Sequence, residues 1–116
     1  MPEQYFLYGE DVDYSLRMRH SGATLAVSFD ARGWHKGGAS LGYRSPRHDY
    51  YIVRNGLEIV RRHSPGWLPV CATYLALRCG LPKVARGQWS RLAVMWRGYR
   101  DFATGTLGRA GPLPGE

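Results

Sequence analysis

A chain of 116 residues, 44% hydrophobic and 22% charged, has the size and composition of one globular domain rather than of a disordered or fibrous segment. Sixteen Lys and Arg against nine Asp and Glu give a net charge of +7, which points to an anionic partner. The longest apolar run, Trp67 to Leu77, is too short for a bilayer and is interrupted by Pro69, and MPEQYFLYGED lacks the basic region and apolar core of a signal peptide.

In chain order, Glu10 to Ser21 is expected to be a helix. Gly9 caps it, Glu10, Asp11 and Asp13 fill its first turn, Arg17, Arg19 and His20 fill its last, and Gly22 stops it, an order that matches the helix dipole. Val12, Leu16 and Arg19 fall on one side. ATLAVSF, 23–29, alternates Leu25, Val27 and Phe29 and reads as a short strand. DARGWHKGGASLGYRSP is a glycine-rich loop. Arg47 to His63 is helical, with Tyr51, Asn55, Glu58 and Arg62 about one turn apart, and Ser64-Pro65-Gly66 ends it. Trp67 to Cys79 is an apolar helix stopped by Gly80 and Pro82. Lys83 to Ala103 is an amphipathic helix with Ala85, Trp89, Leu92, Trp96, Tyr99 and Ala103 on its apolar face. The Gly/Pro-rich tail, residues 105–116, is expected to be disordered. One strand makes no sheet, so this order points to a piece of a larger α/β unit.

Charge is divided unevenly. Residues 1–50 carry six basic and six acidic groups, and residues 51–116 carry ten basic and three acidic groups. Lipid headgroups, nucleic acid or an anionic substrate all suit the second half. Cys71 and Cys79 form no CxxC and have no paired histidines, so neither zinc nor a disulfide framework is expected; they read as partly buried thiols of a reducing cytoplasm.

Three carboxylates within four residues are the first candidate site. Free N–H groups at a helix start keep a carboxylate ionised, as a general base requires, although acids in a first turn are also ordinary capping. D-V-D-Y-S begins like a calcium loop, but Leu16 stands where the turn glycine belongs and the twelfth position is not glutamate. Asp13 and Arg17 are four apart and can pair along the helix. His35, in the glycine loop, can bind a divalent metal or simply face solvent. Lys36-Gly37-Gly38 can approach phosphate but lacks P-loop spacing.

In order and spacing, YFLYGEDVDYSLRMRHSGATLAVSFDARGWHKGGAS and the downstream YYIVRNGLEIVRRHSP resemble the C-terminal part of the catalytic domain of family 2 glycosyltransferases, in the rhamnosyltransferase-like branch. The likeness covers roughly residues 5–65. It implies a mostly helical α/β fragment: residues 1–46 as the end of a GT-A (Rossmann-like) domain, 47–104 as a helical extension of basic amphipathic helices, and 105–116 as tail. It also implies that Asp11 is the catalytic base, that Glu10 shapes the acceptor pocket, and that His35 is a ligand for a divalent metal, Mg or Mn, on the diphosphate. The substrates implied are a nucleotide-sugar donor and a saccharide or lipid-linked acceptor, in cell-surface polysaccharide synthesis. A complete member begins with a nucleotide-binding half ending in a D-x-D metal motif; that half is missing here, so the chain is expected to be inactive alone and to need an N-terminal half supplied separately.

Arg61, Arg62, Arg78, Lys83, Arg86, Arg91, Arg97 and Arg100, interleaved with Trp67, Trp89, Trp96 and Tyr99, suit an anionic membrane surface. The same pattern also fits helices packed on their own domain with a solvated basic face. The rival to an enzyme part is therefore a non-enzymatic membrane- or nucleic-acid-binding module. Nucleic acid is the weaker choice, because no helix-turn-helix spacing, zinc set or RNP-type motif is present.

Overall fold

The computed structural model describes residues 3–34 and 45–114, and every regular element within them is helical. α1 spans Glu10–His20, α2 Pro46–His63, α3 Leu68–Leu75, α4 Leu81–Ala85 and α5 Trp89–Ala103. Short 3₁₀ turns cover Glu3–Tyr5 and Pro65–Trp67, and a π-helical turn, Ala76–Gly80, joins α3 to α4. The expected helices at 10–21 and 47–63 are present with ends shifted by one residue.

α2 is the central element. Ser45 caps it by accepting from the His48 N–H at 3.2 Å, Pro46 presets its first turn, and Asp49 and Arg61-Arg62-His63 sit at the dipole-matched ends. It buries an unusual face for a helix: alongside Tyr50, Tyr51, Val53 and Leu57 lie Asp49, Arg54, Asn55 and Glu58. α5 runs along it. A Cβ on Gly98 would lie 3.0 Å from the Tyr50 carbonyl oxygen and 3.3 Å from Val53, so glycine is what lets the two backbones approach. Val53, Leu57, Leu75 and Met95 form one apolar cluster; Tyr50, Tyr51, Val94, Ala110 and Leu113 form the other.

Four expectations are corrected. Residues 23–29 form no strand: they run irregularly, with Leu25, Val27 and Phe29 at 54%, 78% and 92% exposure. No other described segment is extended beside them, and an unpaired strand has no ladder to hold it. The α/β part of the fold expectation is thus not met among the described residues, and the mostly helical part is. The helix expected to stop at Gly80 and Pro82 continues instead. Pro82 removes one backbone donor; the wide turn absorbs the change, and Lys83 Nζ donates to the Cys79 carbonyl at 3.0 Å. The helix expected over Lys83–Ala103 is broken at Gly87, whose φ of +62° suits no side chain well. Beyond the break the buried face is Val94, Met95, Gly98 and Asp101, while Trp89 and Trp96 point outward at 67% and 71% exposure. The close approach at Gly98, rather than the aromatic stripe, decides which face turns in.

The tail is the fourth. Residues 105–114 pack on α2 and α5: Ala110 and Leu113 are buried, the Ala110 N–H donates to the Tyr51 hydroxyl at 2.9 Å, and Arg97 donates to the Pro112 carbonyl. Few apolar groups are needed to order a segment whose backbone groups find such partners.

Candidate functional site

The turn that leads into α1 is strained. Phe6 and Tyr8 have φ of 60° and 62°, and Gly9 follows at 93°. Bulky side chains rarely occupy this region, at a cost of about 1–3 kcal/mol each, and such residues persist only where their surroundings hold them. Here α2 holds them. The Asn55 amide nitrogen lies 3.1, 2.6 and 2.8 Å from the carbonyl oxygens of Tyr5, Leu7 and Tyr8. The fully buried Arg54 guanidinium donates to the Tyr5 carbonyl at 3.1 Å and to the Gly108 carbonyl at 2.7 Å, and its Nε donates to Asn55 Oδ1 at 2.9 Å. It also faces the rings of Tyr50 and Tyr51 at 5.2 and 4.9 Å. At the φ of Gly9 a side chain is strained whatever the space, and a Cβ would also stand 2.7 Å from Ile59 Cδ1, which would have to shift. The Gly9 carbonyl takes the first helical bond, from the Asp13 N–H at 2.9 Å.

The turn delivers Glu10 and Asp11 as the first two residues of α1. Asp11 is exposed, and one of its oxygens accepts from the Val12 N–H at 2.8 Å, leaving the other toward solvent. Glu10 is half-buried, and its Oε2 is a buried oxygen with no hydrogen-bond partner among the described residues. Such an acceptor is uncommon in a folded chain. Asp11 can take a proton from a hydroxyl brought to the start of α1.

Asp13 is engaged differently. It is fully buried; the Tyr5 hydroxyl donates to it at 3.0 Å, the His63 Nε2–H at 2.8 Å, and Arg17 Nε lies 3.0 Å from its second oxygen. Burial alone would raise its pKa, but the hydrogen bonds from His63 and Tyr5, with the Arg17 charge, outweigh burial and hold the carboxyl below the usual range. The Tyr5 hydroxyl is pushed up by its own burial and by the carboxylate beside it. His20 stacks on His63, centroids 5.4 Å apart. With both oxygens taken, Asp13 ties α1 to the end of α2 rather than serving as a base. The Asp13–Arg17 pair follows the spacing in sequence; Tyr5 and His63, which complete it, carry no sequence signal of their own.

Arg61 and Arg62, grouped in sequence with the membrane-facing cations, both bind the buried Glu58 at 2.5 Å. Arg54-Asn55, for which sequence gave no role, proves to be the clamp on the strained turn. The signal that could have found it is the set Arg54, Asn55, Glu58: polar groups standing in the stripe of α2 that the apolar spacing marks as buried.

His35 and Lys36-Gly37-Gly38 lie outside the described residues. Among the described residues no three imidazole, carboxylate or thiol groups converge to hold a metal, and Asp13 is already met by Tyr5, His63 and Arg17. The ligand that the resemblance implies, His35, is not among the described residues, and the chemistry that follows belongs to Asp11 and its neighbours. Cys71 and Cys79 are half-buried free thiols, the Cys71 thiol pushed up by burial. No helix among the described residues is long and apolar enough to cross a membrane. Comparison with protein-family models, curated proteins and solved structures finds no match.

Proposed function

We propose that the chain is the acceptor-side part of an inverting glycosyltransferase of the GT-A type, working with a nucleotide-binding half. The observation that carries this reading is the strained Phe6–Gly9 turn, clamped by Arg54 and Asn55, which projects Glu10 and Asp11 from the start of α1. The aromatic run with G-E-D and the Y-Y-x-x-R-N segment, some fifty residues apart, meet there hydrogen bond by hydrogen bond. Strain of this kind concentrates at functional sites. A second support is the alternation of Leu25, Val27 and Phe29, all exposed; this is the pattern of a strand that pairs with a sheet supplied by a partner.

Asp11 removes the proton of an acceptor hydroxyl, on a saccharide or a lipid-linked saccharide. The oxygen forms its bond to the anomeric carbon of a nucleotide-activated sugar from the face opposite the diphosphate. The bond from that carbon to the diphosphate oxygen breaks, and the nucleoside diphosphate leaves with the electron pair. Glu10, with a buried oxygen that has no hydrogen-bond partner among the described residues, orients a second acceptor hydroxyl.

The DNA upstream of the Met1 codon is expected to encode a strand-rich segment ending in D-x-D. Co-expressed with it, the chain should transfer sugar from a nucleotide sugar, and Asp11→Asn should lower that rate by about 10²–10⁴-fold, the range for losing a general base. Transfer that survives Asp11→Asn removes Asp11 from this role, and an upstream region with no such segment removes the glycosyltransferase reading.

A further inference from the structure

Between α2 and the arm formed by α3, the π turn, α4 and the start of α5 lies a cavity of about 510 Å³ that includes neither Glu10 nor Asp11. Its charged lining is Asp49, Arg78, Lys83, Arg86 and Arg91, together with His48. Asp49 is already met by Lys83 at 3.3 Å and Arg91 at 2.6 Å. Lys83 is held further by the Cys79 carbonyl and Arg91 by the Ser45 carbonyl. Arg78 and Arg86 add two exposed guanidinium groups for which no carboxylate stands within ion-pair distance among the described residues. Four cations against one carboxylate leave the cleft at +3, a charge that draws a phosphate group. The π turn carries Arg78, and turns of this type recur at binding sites.

Beside the cleft runs a second feature. Trp67, Val70, Tyr74, Leu77, Leu81 and Val84 stand three or four residues apart along the arm, 47–67% exposed. Tyr74 belongs to both features, since it also lines the cleft. A monomer has no use for six such side chains in one file. A second copy of a +7 chain would bring its own Arg78 and Arg86 against the first, and a nucleic acid would leave the apolar file in water. A phospholipid surface of negative charge satisfies both features, with apolar groups at the acyl boundary and guanidinium groups at the headgroups.

We propose that this face docks on an anionic phospholipid bilayer, with the file from Trp67 to Val84 at the headgroup–acyl boundary and a lipid phosphate seated in the cleft by Arg78, Lys83 and Arg86. Docking requires nothing of Asp11, so Asp11→Asn binds vesicles as the parent does, and lipid binding and sugar transfer are tested separately.

Co-sedimentation with vesicles of phosphatidylglycerol and phosphatidylcholine, and with vesicles of phosphatidylcholine alone, tests it, with tryptophan emission as a second readout. The parent is expected to bind the anionic vesicles at low salt, to release at high salt, and to shift its emission to the blue. Arg78→Glu/Arg86→Glu and Leu77→Glu/Leu81→Glu change exposed side chains, so both should keep the parent's circular dichroism, and each should weaken binding at least about tenfold. Three outcomes overturn the proposal. The first is no binding to anionic vesicles at low salt. The second is equal binding by the parent and either folded double variant. The third is a parent that ignores vesicles and sediments as a dimer which Leu77→Glu/Leu81→Glu dissolves, since a second copy would then cover the file.

Discussion

Two regions packed on α2 face opposite solvation problems. Toward the N-terminal turn and α1, the chain buries Asp13, Arg54, Asn55 and Glu58 to 1% exposure or less, each with hydrogen-bond partners; along the arm that follows α2, six apolar side chains stay in water. The first region is held by specific polar pairing, so each member depends on its partners, and deleting one leaves the others buried and unsatisfied. In the second region exposed apolar groups cost little one at a time, and their number and spacing matter instead. The difference teaches that in this small chain stability resides where the charges are buried, and that the apolar surface is available for something else.

The sharpest way to break that contrast is Arg54→Ala. It removes the donor to the Tyr5 and Gly108 carbonyls and empties the space between the rings of Tyr50 and Tyr51. A loss of about 3 kcal/mol or more is expected, read as a fall in the urea midpoint at unchanged slope. A loss below about 1 kcal/mol would mean that the clamp is not what holds the turn.

A smaller effect is expected from pH. Asp13 and Asp101 both have native carboxyl pKa values below the ordinary one: burial raises each, but hydrogen bonds and neighbouring cations more than offset it. Their contribution to stability is therefore fully present above the unfolded value of about 4 and is lost as pH falls through the lower native values. Asp13→Asn should lower stability near neutrality and flatten the acid limb of the stability–pH curve. A parent and variant whose curves stay parallel down to about pH 2, below the ordinary Asp range, would show that Asp13 titrates alike folded and unfolded.

The smallest effect belongs to the arm. Leu81→Gln, at a position 61% exposed, should change stability by no more than about 0.5 kcal/mol. A loss several times larger in thermal or urea unfolding would place Leu81 in the folded core and erase the contrast between the two regions.

How much of this was legible in the residues follows the same division. α1 and α2 could be placed because their ends carry local chemistry: Gly9 and Gly22 at one, Ser64-Pro65 at the end of the other. Asp13–Arg17 could be placed because it is a one-turn pair. What stayed hidden depends on approach between distant segments. Gly98 overrode the aromatic stripe of α5 because a close contact with the Tyr50 carbonyl is invisible to periodicity. Pro82 read as a stop because nothing local announces the wide turn, Ala76–Gly80, that carries the helix on into Leu81–Ala85. Residues 23–29 read as a strand because alternation says which faces differ, not whether a neighbour exists to pair with. Of the candidate site, Glu10 and Asp11 were legible as acids at a helix start. The Arg54-Asn55 clamp was not, since its acceptors are backbone carbonyls that any sequence possesses.

One backbone contact has a practical side. The Gly108 N–H donates to the Gln4 carbonyl at 2.6 Å, and Arg54 binds the carbonyl of Gly108 and that of Tyr5 at once. Segments far apart in sequence, around Gln4-Tyr5 and Gly108, are thereby tied together at a single spot. A reporter inserted at the exposed Ser21-Gly22 corner leaves that contact untouched.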